Sequence, residues 1–118
     1  METPNYTKTE LNIFNKGLTE LPNDLHLYTN LQKLNCSDNK LTHCDNLPQS
    51  LKILECFHNK LTQLDNLPHN LKILICGNNF IITHLDNLPP NLEKLTCKNN
   101  NITHLDNLPQ NLNIRLFL

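Results

Sequence analysis

The sequence predicts an α/β-type repeat solenoid, in which short parallel strands stack into one sheet. Most connections between strands are expected to be extended or 3₁₀, with little α-helix. The first observation is compositional, since 25 Leu and 21 Asn lie among 118 residues. The second is that L-x-x-L-x-C-x-x-N recurs at intervals of 20, 20 and 21 residues, and the third is that each copy runs on to Asp-Asn-Leu-Pro. Four copies in register are typical of a stacked-repeat architecture. The cysteines of the four copies are Cys36, Cys56, Cys76 and Cys97.

Composition and charge exclude several classes of protein. Leu, Ile and Phe supply 37 of 118 residues, which is enough for one hydrophobic core. Ten basic residues are offset by eleven acidic ones, which argues against a nucleic-acid partner. The sequence has neither a long apolar run nor a signal-peptide pattern at residues 1–5, so we expect no membrane association and a cytoplasmic protein with reduced thiols.

The repeats divide the chain into one domain over 1–118. Residues 1–30 form a degenerate N-terminal repeat or cap, 31–111 four tandem repeats, and 112–118 an incomplete C-terminal repeat. The first connector is three residues longer than the later ones, within 24–29, which allows a short helix there. The third repeat has one extra residue, which we place within 78–81 before Ile82, where a loop would absorb it.

Alternation of apolar and polar residues predicts one short strand in each repeat. Its leucine and cysteine would point inward, and a buried thiol packs as a small hydrophobe. Cys44, at a position that is leucine in the later repeats, is expected to be a further core residue. A metal-binding or redox role is disfavoured because the cysteines form a linear column rather than the tetrahedral cluster that zinc requires. The inward leucines are Leu34, Leu54, Leu74 and Leu95.

Two polar columns recur with the repeat. An asparagine follows each cysteine by three residues, and its amide can satisfy the backbone of the turn after the strand. A histidine precedes the aspartate of three repeats by two residues, but Gln63 breaks this set and no nucleophile or phosphate-binding loop accompanies it. We therefore predict no catalytic residue, metal or cofactor. The columns are Asn39, Asn59, Asn79 and Asn100, and His43, His84 and His104.

The pattern L-x-x-L-x-L/C-x-x-N, over about residues 11–118, resembles that of leucine-rich repeat proteins. The short cysteine-containing unit is similar to repeats of giant DNA viruses of amoebae and of bacteria, and to the repeat region of certain secreted bacterial effectors. The resemblance implies a horseshoe with a parallel sheet on its concave face. It also implies a non-enzymatic role in protein binding. A viral origin would place the protein in the host cytoplasm, with a host protein as partner.

The variable strand positions of such a horseshoe form its concave face, which is where partners usually bind. We expect an apolar centre between polar rows, with Phe57 and Ile75 as anchors for a protein or peptide and Lys33, Glu55 and Lys94 setting its register by charge. The alternative is that Ile and Phe are present only because they suit strands. The expected face comprises Lys33, Asn35, Ser37, Asp38, Ile53, Glu55, Phe57, His58, Ile73, Ile75, Gly77, Asn78, Lys94, Thr96, Lys98 and Asn99.

The C-terminal segment suggests a second function. Direct alignment puts Arg115 in the inward leucine slot, whereas a slip of one residue would bury Ile114, Leu116 and Leu118 instead. In either case an apolar sheet edge would be exposed. The alternative function is therefore a structural or self-associating protein, a homodimer formed through Leu116, Phe117 and Leu118.

Overall fold

Short parallel strands make up almost all of the regular structure. The computed structural model describes residues 3–103, 105 and 107–116, the last three as backbone. Within these residues one 3₁₀ helix, Leu25–Leu27, follows the first strand, and the prediction of little α-helix is confirmed. The strands are β1 (Glu10–Asn12), β2 (Lys33–Asn35), β3 (Ile53–Glu55), β4 (Ile73–Ile75), β5 (Lys94–Thr96) and β6 (Ile114–Leu116).

The six strands form one sheet whose spatial order is their order in the chain. Every neighbouring pair is parallel, and the repeat keeps equivalent residues side by side. The middle residues of β2 to β5 are the predicted inward leucines, which are fully buried. The outer face of this sheet, which the repeat pattern predicts to be concave, is called the sheet face below.

The core is a column of leucine and cysteine side chains behind the sheet. The four repeat cysteines are fully buried, and Cys44 is 3% exposed, so its expected core position is confirmed. Each strand is only three residues long, so it cannot bury enough apolar surface alone. Stacking the repeats places each leucine against those of its neighbours, and this burial is the main stabilising contribution.

The connectors behind the sheet are tight turns. Leu51 donates its backbone N–H to the carbonyl of Pro48 at 3.1 Å, which closes a turn before β3. The same bond joins Leu71 to Pro68, Leu92 to Pro89 and Leu112 to Pro109. The longer first connector contains the 3₁₀ helix, as its length predicts. Residues of the Asp-Asn-Leu-Pro tetrads adopt the left-handed conformation that asparagine tolerates, namely Asn46, Asn66, Asn87 and Asn107.

The asparagine column joins each repeat to the previous one. The Asn59 side-chain oxygen accepts the backbone N–H of Leu41 at 3.0 Å, while its Nδ2 donates to the carbonyls of Cys36 and Cys56 at 3.1 and 3.2 Å. One amide therefore satisfies buried backbone groups in two successive repeats, and the predicted structural role is confirmed. Equivalent bonds are made by Asn39 and Asn79. Asn100 donates in the same way, but its oxygen accepts from the N–H of Phe80 in the insertion and not from Ile82, which occupies the slot of Leu41.

The extra residue of the third repeat lies where the spacing predicts it. Phe80 and Ile81 are 62% and 47% exposed, and Ile82 is fully buried in the slot that Leu41 and Leu61 occupy in earlier repeats. Phe80 has a φ of 73°, which is unusual for a bulky side chain. The insertion therefore bulges outward at a strained residue, and the core continues unchanged beyond it.

The two ends of the sheet follow the repeat register. Leu11 of β1 pairs with Leu34, so the degenerate first copy still contributes a strand. At the other end Arg115 pairs with Leu95, which is the register of direct alignment, and the alternative slip of one residue is wrong. Leu116 ends β6, whereas Phe117 and Leu118 lie outside the described residues.

Replacing Leu74 by Ala tests the core assignment. Leu74 lies at the centre of β4 and is fully buried, so the cavity should lower the free energy of unfolding by about 2–5 kcal/mol. Denaturant unfolding of both chains measures the loss, with the exposed Lys60→Ala as control. A loss below about 1 kcal/mol, typical of surface changes, would contradict the register.

Replacing Asn59 by Asp tests the amide ladder with almost no change of shape. The ionised carboxylate cannot donate, so it would face the carbonyls of Cys36 and Cys56 with lone pairs only. We expect the free energy of unfolding to fall by about 1–3 kcal/mol, which is the cost of leaving buried polar groups unsatisfied. The same substitution at exposed Asn70 serves as control, and equal midpoints for the two variants in denaturant would refute the ladder's role.

Candidate functional site: the sheet face

The sheet face is built from the first and third residues of each strand, because the middle residue points inward. The register aligns Lys33, Ile53, Ile73 and Lys94 in one row across β2 to β5, and all four are half-buried. A second row consists of Asn35, Glu55, Ile75 and Thr96, which are also half-buried. The predicted side chains on these strands are thus brought together on one surface.

An apolar patch occupies the middle of the sheet face. It consists of Ile53, Phe57, Ile73 and Ile75, none of them fully buried. Ile53 and Ile73 are direct neighbours on adjacent strands, which lie about 4.8 Å apart. Phe57 follows β3, where its backbone N–H donates to the hydroxyl of Ser37 at 3.1 Å. Ile53, Ile73 and Ile75 are neighbours in the sheet, whereas Glu55 separates Ile53 from Phe57 along the chain and pairs in register with Ile75.

Two expected members of the face are not on it. Ser37 is fully buried, because its hydroxyl accepts the Phe57 N–H between two repeats, so its expected exposure is wrong. Gly77 is also buried, and a Cβ at this position would lie 3.1 Å from the Lys98 carbonyl oxygen. The close approach of these two backbones explains why this repeat has glycine there.

Charged side chains lie on both sides of the apolar patch, and they are not equivalent. On one side the Lys33 ammonium pairs with the Glu55 carboxylate at 3.6 Å. On the other side Lys94 is half-buried and Lys98 exposed, and within the described part of the chain neither forms an ion pair. The nearest acidic residue in sequence, Glu93, pairs with Lys72 at 3.2 Å instead.

A polar border runs along the edge of the sheet face where the strands end. The residue before each ladder asparagine has a positive φ, which is tolerated best by asparagine and aspartate. His58 is the exception in type, and its Nδ1 contacts the Asp38 carboxylate. Asn99 donates to the Asn78 side-chain oxygen at 2.6 Å. Side-chain pairs between neighbouring repeats thus extend along this edge. The sequence predicts these residues to lie on the sheet face, but it does not predict that they pair.

The buried thiols have few of the properties of a reactive or metal site. The hydrogen bond with Cys44 and then burial raise the pKa of Cys36 well above its usual 9.0. At Cys56 the hydrogen bond with Cys44 lowers the pKa, but burial outweighs it and the pKa is about 11. Burial alone raises the pKa of Cys97 to about 11. Since the thiolate is the reactive form, neutral buried thiols are poor nucleophiles and poor ligands.

The histidine column does not converge on a centre. His84 Nε2 is 3.8 Å from the Asp86 carboxylate, while its Nδ1 is 3.0 Å from the Thr83 hydroxyl, and both are exposed. His43 makes the same contact with Thr42. His104 and Asp106 lie outside the described residues. Among the residues that the structure describes, no group of three or more His, Cys, Asp or Glu is placed to hold a metal ion.

Three solved structures resemble this chain over most of its length. The leucine-rich repeat domain of a Shigella effector matches with a TM-score of 0.84 and 34% identity, over 92% of this chain and 48% of that domain. YopM from Yersinia enterocolitica WA-314 matches with a TM-score of 0.75 and 32% identity, over 92% of this chain and 28% of that chain. The functional domain of InlJ from Listeria monocytogenes matches with a TM-score of 0.73 and 40% identity, over 83% of this chain and 22% of that chain. This chain is a leucine-rich repeat protein.

This chain spans about half of the length of the Shigella domain and a smaller share of the YopM and InlJ chains. The InlJ domain is described as including a cysteine ladder, a feature that this chain shares in its buried column. All three relatives are bacterial, and the expected likeness to viral repeats has no support among them. No family model matches the sequence, and no curated protein matches it either.

Sequence reasoning missed contacts that depend on neighbouring repeats. The Asp38–His58 pair joins residues twenty apart, and reading such positions as neighbours would have revealed it. The Lys33–Glu55 pair is diagonal across two strands, so that reading alone would have missed it. The exposure of Phe80 and Ile81 follows from the length of the third repeat, which was noted as a loop only.

The raised thiol pKa values predict that the protein loses stability in alkali. Below about pH 9 the thiols are protonated whether or not the chain is folded. Between 9 and about 11 the unfolded chain releases protons that folded Cys56 and Cys97 retain, so the unfolding free energy should fall as pH rises.

Denaturant unfolding at several pH values, with a Cys56→Ala/Cys97→Ala variant beside the parent chain, isolates this effect from lysine and tyrosine titration. Thiolate absorbance of the folded parent chain should begin near pH 11 rather than near pH 9, because Cys56 and Cys97 release their protons there. Full thiolate absorbance near pH 9 in the folded protein would show that the column is accessible to water.

Proposed function

We propose that the chain is a non-enzymatic protein-binding module that engages a protein or peptide partner through its sheet face. The observation that carries the proposal is the apolar patch of Ile53, Phe57, Ile73 and Ile75, which is half-buried and lies between the polar face residues of β2 and those of β5. An apolar centre with a polar rim is the usual anatomy of a protein interface.

Strand propensity alone explains the patch less well. β-Branched residues suit any strand, yet the equivalent positions are lysine and asparagine in β2 and include lysine in β5. Thr96 of β5 is itself β-branched, and the register gives β6 Ile114 and Leu116 at these positions. Phe57 lies beyond β3, where strand propensity does not act. These side chains are partly exposed to solvent in the fold, so a partner could bury their remaining apolar surface. Phe57 and Ile75 remain the proposed anchors.

The proposal extends to the cell context. Similarity to a Shigella effector domain and to YopM supports a role in recognition rather than catalysis. Five free cysteines favour a reducing compartment, so we propose a cytoplasmic location, and a host protein is a candidate partner. The near-neutral charge favours neither nucleic acid nor an anionic membrane as partner. The described residues include no helix with the length and apolar character needed to span a bilayer.

A second candidate function is self-association. β6 lies at the edge of the sheet with only β5 as a strand neighbour, and an unpaired edge can pair with a second copy. The sequence assigns this contact to Leu116, Phe117 and Leu118. Sedimentation over a range of concentrations separates the two functions, because a binding module for another protein has no need to dimerise.

The sheet face can be tested by capture of partners from the native cell. A Phe57→Glu/Ile75→Glu double variant places charges in the apolar patch and should lose a specific partner that the parent chain retains. Phe57→Ala alone should leave the denaturation midpoint nearly unchanged, because the ring is not part of the buried core. The matched control is Phe80→Glu/Ile81→Glu, which adds the same charges at exposed residues off the sheet face.

Circular dichroism of each variant establishes that the solenoid is intact. Partners lost from the sheet-face variant and kept by the control support the proposal. Equal capture by both variants would reject it, and capture of the parent chain alone would favour self-association.

A further inference from the structure

The two lysines in the first row of the sheet face differ in their charge partners. Across β2 to β5 the row reads Lys33, Ile53, Ile73, Lys94, and the register continues it to Glu10 in β1 and Ile114 in β6. The Lys33 ammonium is compensated by Glu55 at 3.6 Å. Lys94 is half-buried, and among the described residues its ammonium has neither an ion pair nor a hydrogen bond.

Among the described residues, those around Lys94 on the sheet face add positive charge and no negative charge. Thr96 is the other face residue of β5, and Lys98 follows the strand with an exposed side chain. Glu93 directly precedes β5 and pairs with Lys72. An uncompensated cation in a partly desolvated position gains most from an incoming carboxylate.

From this asymmetry we infer that the partner presents an apolar residue and, two positions away in either direction, an aspartate or glutamate, in an extended segment that crosses the strands with the acid over β5. The inference rests on the proposed function of the sheet face and specifies its ligand. The apolar side chain packs over Ile53 and Ile73, and the carboxylate pairs with Lys94, with Lys98 available to a second acid.

The spacing follows from two standard dimensions. Strands lie about 4.8 Å apart, so the midpoint between Ile53 and Ile73 is about 7.2 Å from the Lys94 position along the row. Side chains on one face of an extended peptide repeat every two residues, or about 6.8 Å. An apolar-x-acid sequence therefore matches the row, whereas adjacent residues in a peptide point to opposite sides.

The side on which the acid lies also follows from charge. At the β2 end of the row, Glu55 would repel a carboxylate and already neutralises Lys33. Charge therefore favours the acid over β5 and the apolar residue over β3 and β4. This placement holds for either direction of the peptide chain, as apolar-x-acid or as acid-x-apolar.

Selection from a library of short random peptides displayed on phage, with the full chain immobilised, tests the inference. The parent chain should enrich peptides with the apolar-x-acid spacing. A synthetic peptide from the enriched set, labelled for fluorescence anisotropy, should bind about tenfold more weakly to Lys94→Glu and to Lys98→Glu than to the parent chain. Its affinity for the parent chain should fall as the salt concentration is raised. The control Lys60→Glu makes the same charge change at an exposed residue beyond the ladder asparagine and should bind as the parent does.

Reversal of charge gives the strictest outcome. Selection on Lys94→Glu should replace the enriched acid by lysine or arginine at the same spacing, which a merely structural role of Lys94 would not produce. Enrichment without an acid, no enriched peptide at all, or equal affinity for the parent and Lys94→Glu would overturn the inference. Displacement of the peptide by an equal concentration of single-stranded oligonucleotide would assign the lysines to a polyanion and would overturn it too.

The same measurements separate this inference from the proposed function. If Phe57→Glu/Ile75→Glu abolishes peptide binding while Lys94→Glu leaves it unchanged, the sheet face binds partners but the assigned chemistry is wrong. If neither variant changes binding, the face itself is not the site and both proposals fail.

Discussion

The constraint on which the whole structure depends is the need to satisfy backbone groups that are buried between short repeats. Three-residue strands end quickly, and the turn after each one leaves amide and carbonyl groups inside the solenoid. The ladder asparagines meet this need, since each amide accepts from the preceding repeat and donates to carbonyls of both. Leucine burial supplies the larger energy, but the amides fix where each repeat must lie.

This arrangement explains the different freedom of residues within a repeat. Inward leucine, cysteine and asparagine positions are determined by contacts with the repeats before and after, whereas the first and third strand positions face outward. The sheet face can therefore differ from strand to strand without cost to the core. In this leucine-rich repeat protein the face positions of β3 and β4 are mostly apolar and those of β2 and β5 are polar, a variation that the fold does not require.

Sequence periodicity predicts the strands, the core column and the place of the extra residue because each is a property of one repeat unit. It fails at Ser37, whose burial depends on a bond to Phe57 in the next repeat, and at Gly77, whose burial depends on the approach of Lys98. The charge asymmetry of the sheet face likewise depends on Glu55 reaching across to Lys33. The apolar centre was predictable from residue types, but the pairing of its border was not, since pairing depends on geometry between repeats.

The bulge at Phe80 and Ile81 has a consequence for how such a chain can evolve. After the additional residue the backbone returns at once, so that Ile82 fills the slot of Leu61 and the next ladder amide, at Asn100, is in place. An error in repeat length is therefore corrected within the repeat in which it arises and is not passed to later ones. Lineages of such proteins can then gain or lose single residues on this side of the solenoid, and can duplicate units of unequal length, while every strand keeps its alignment.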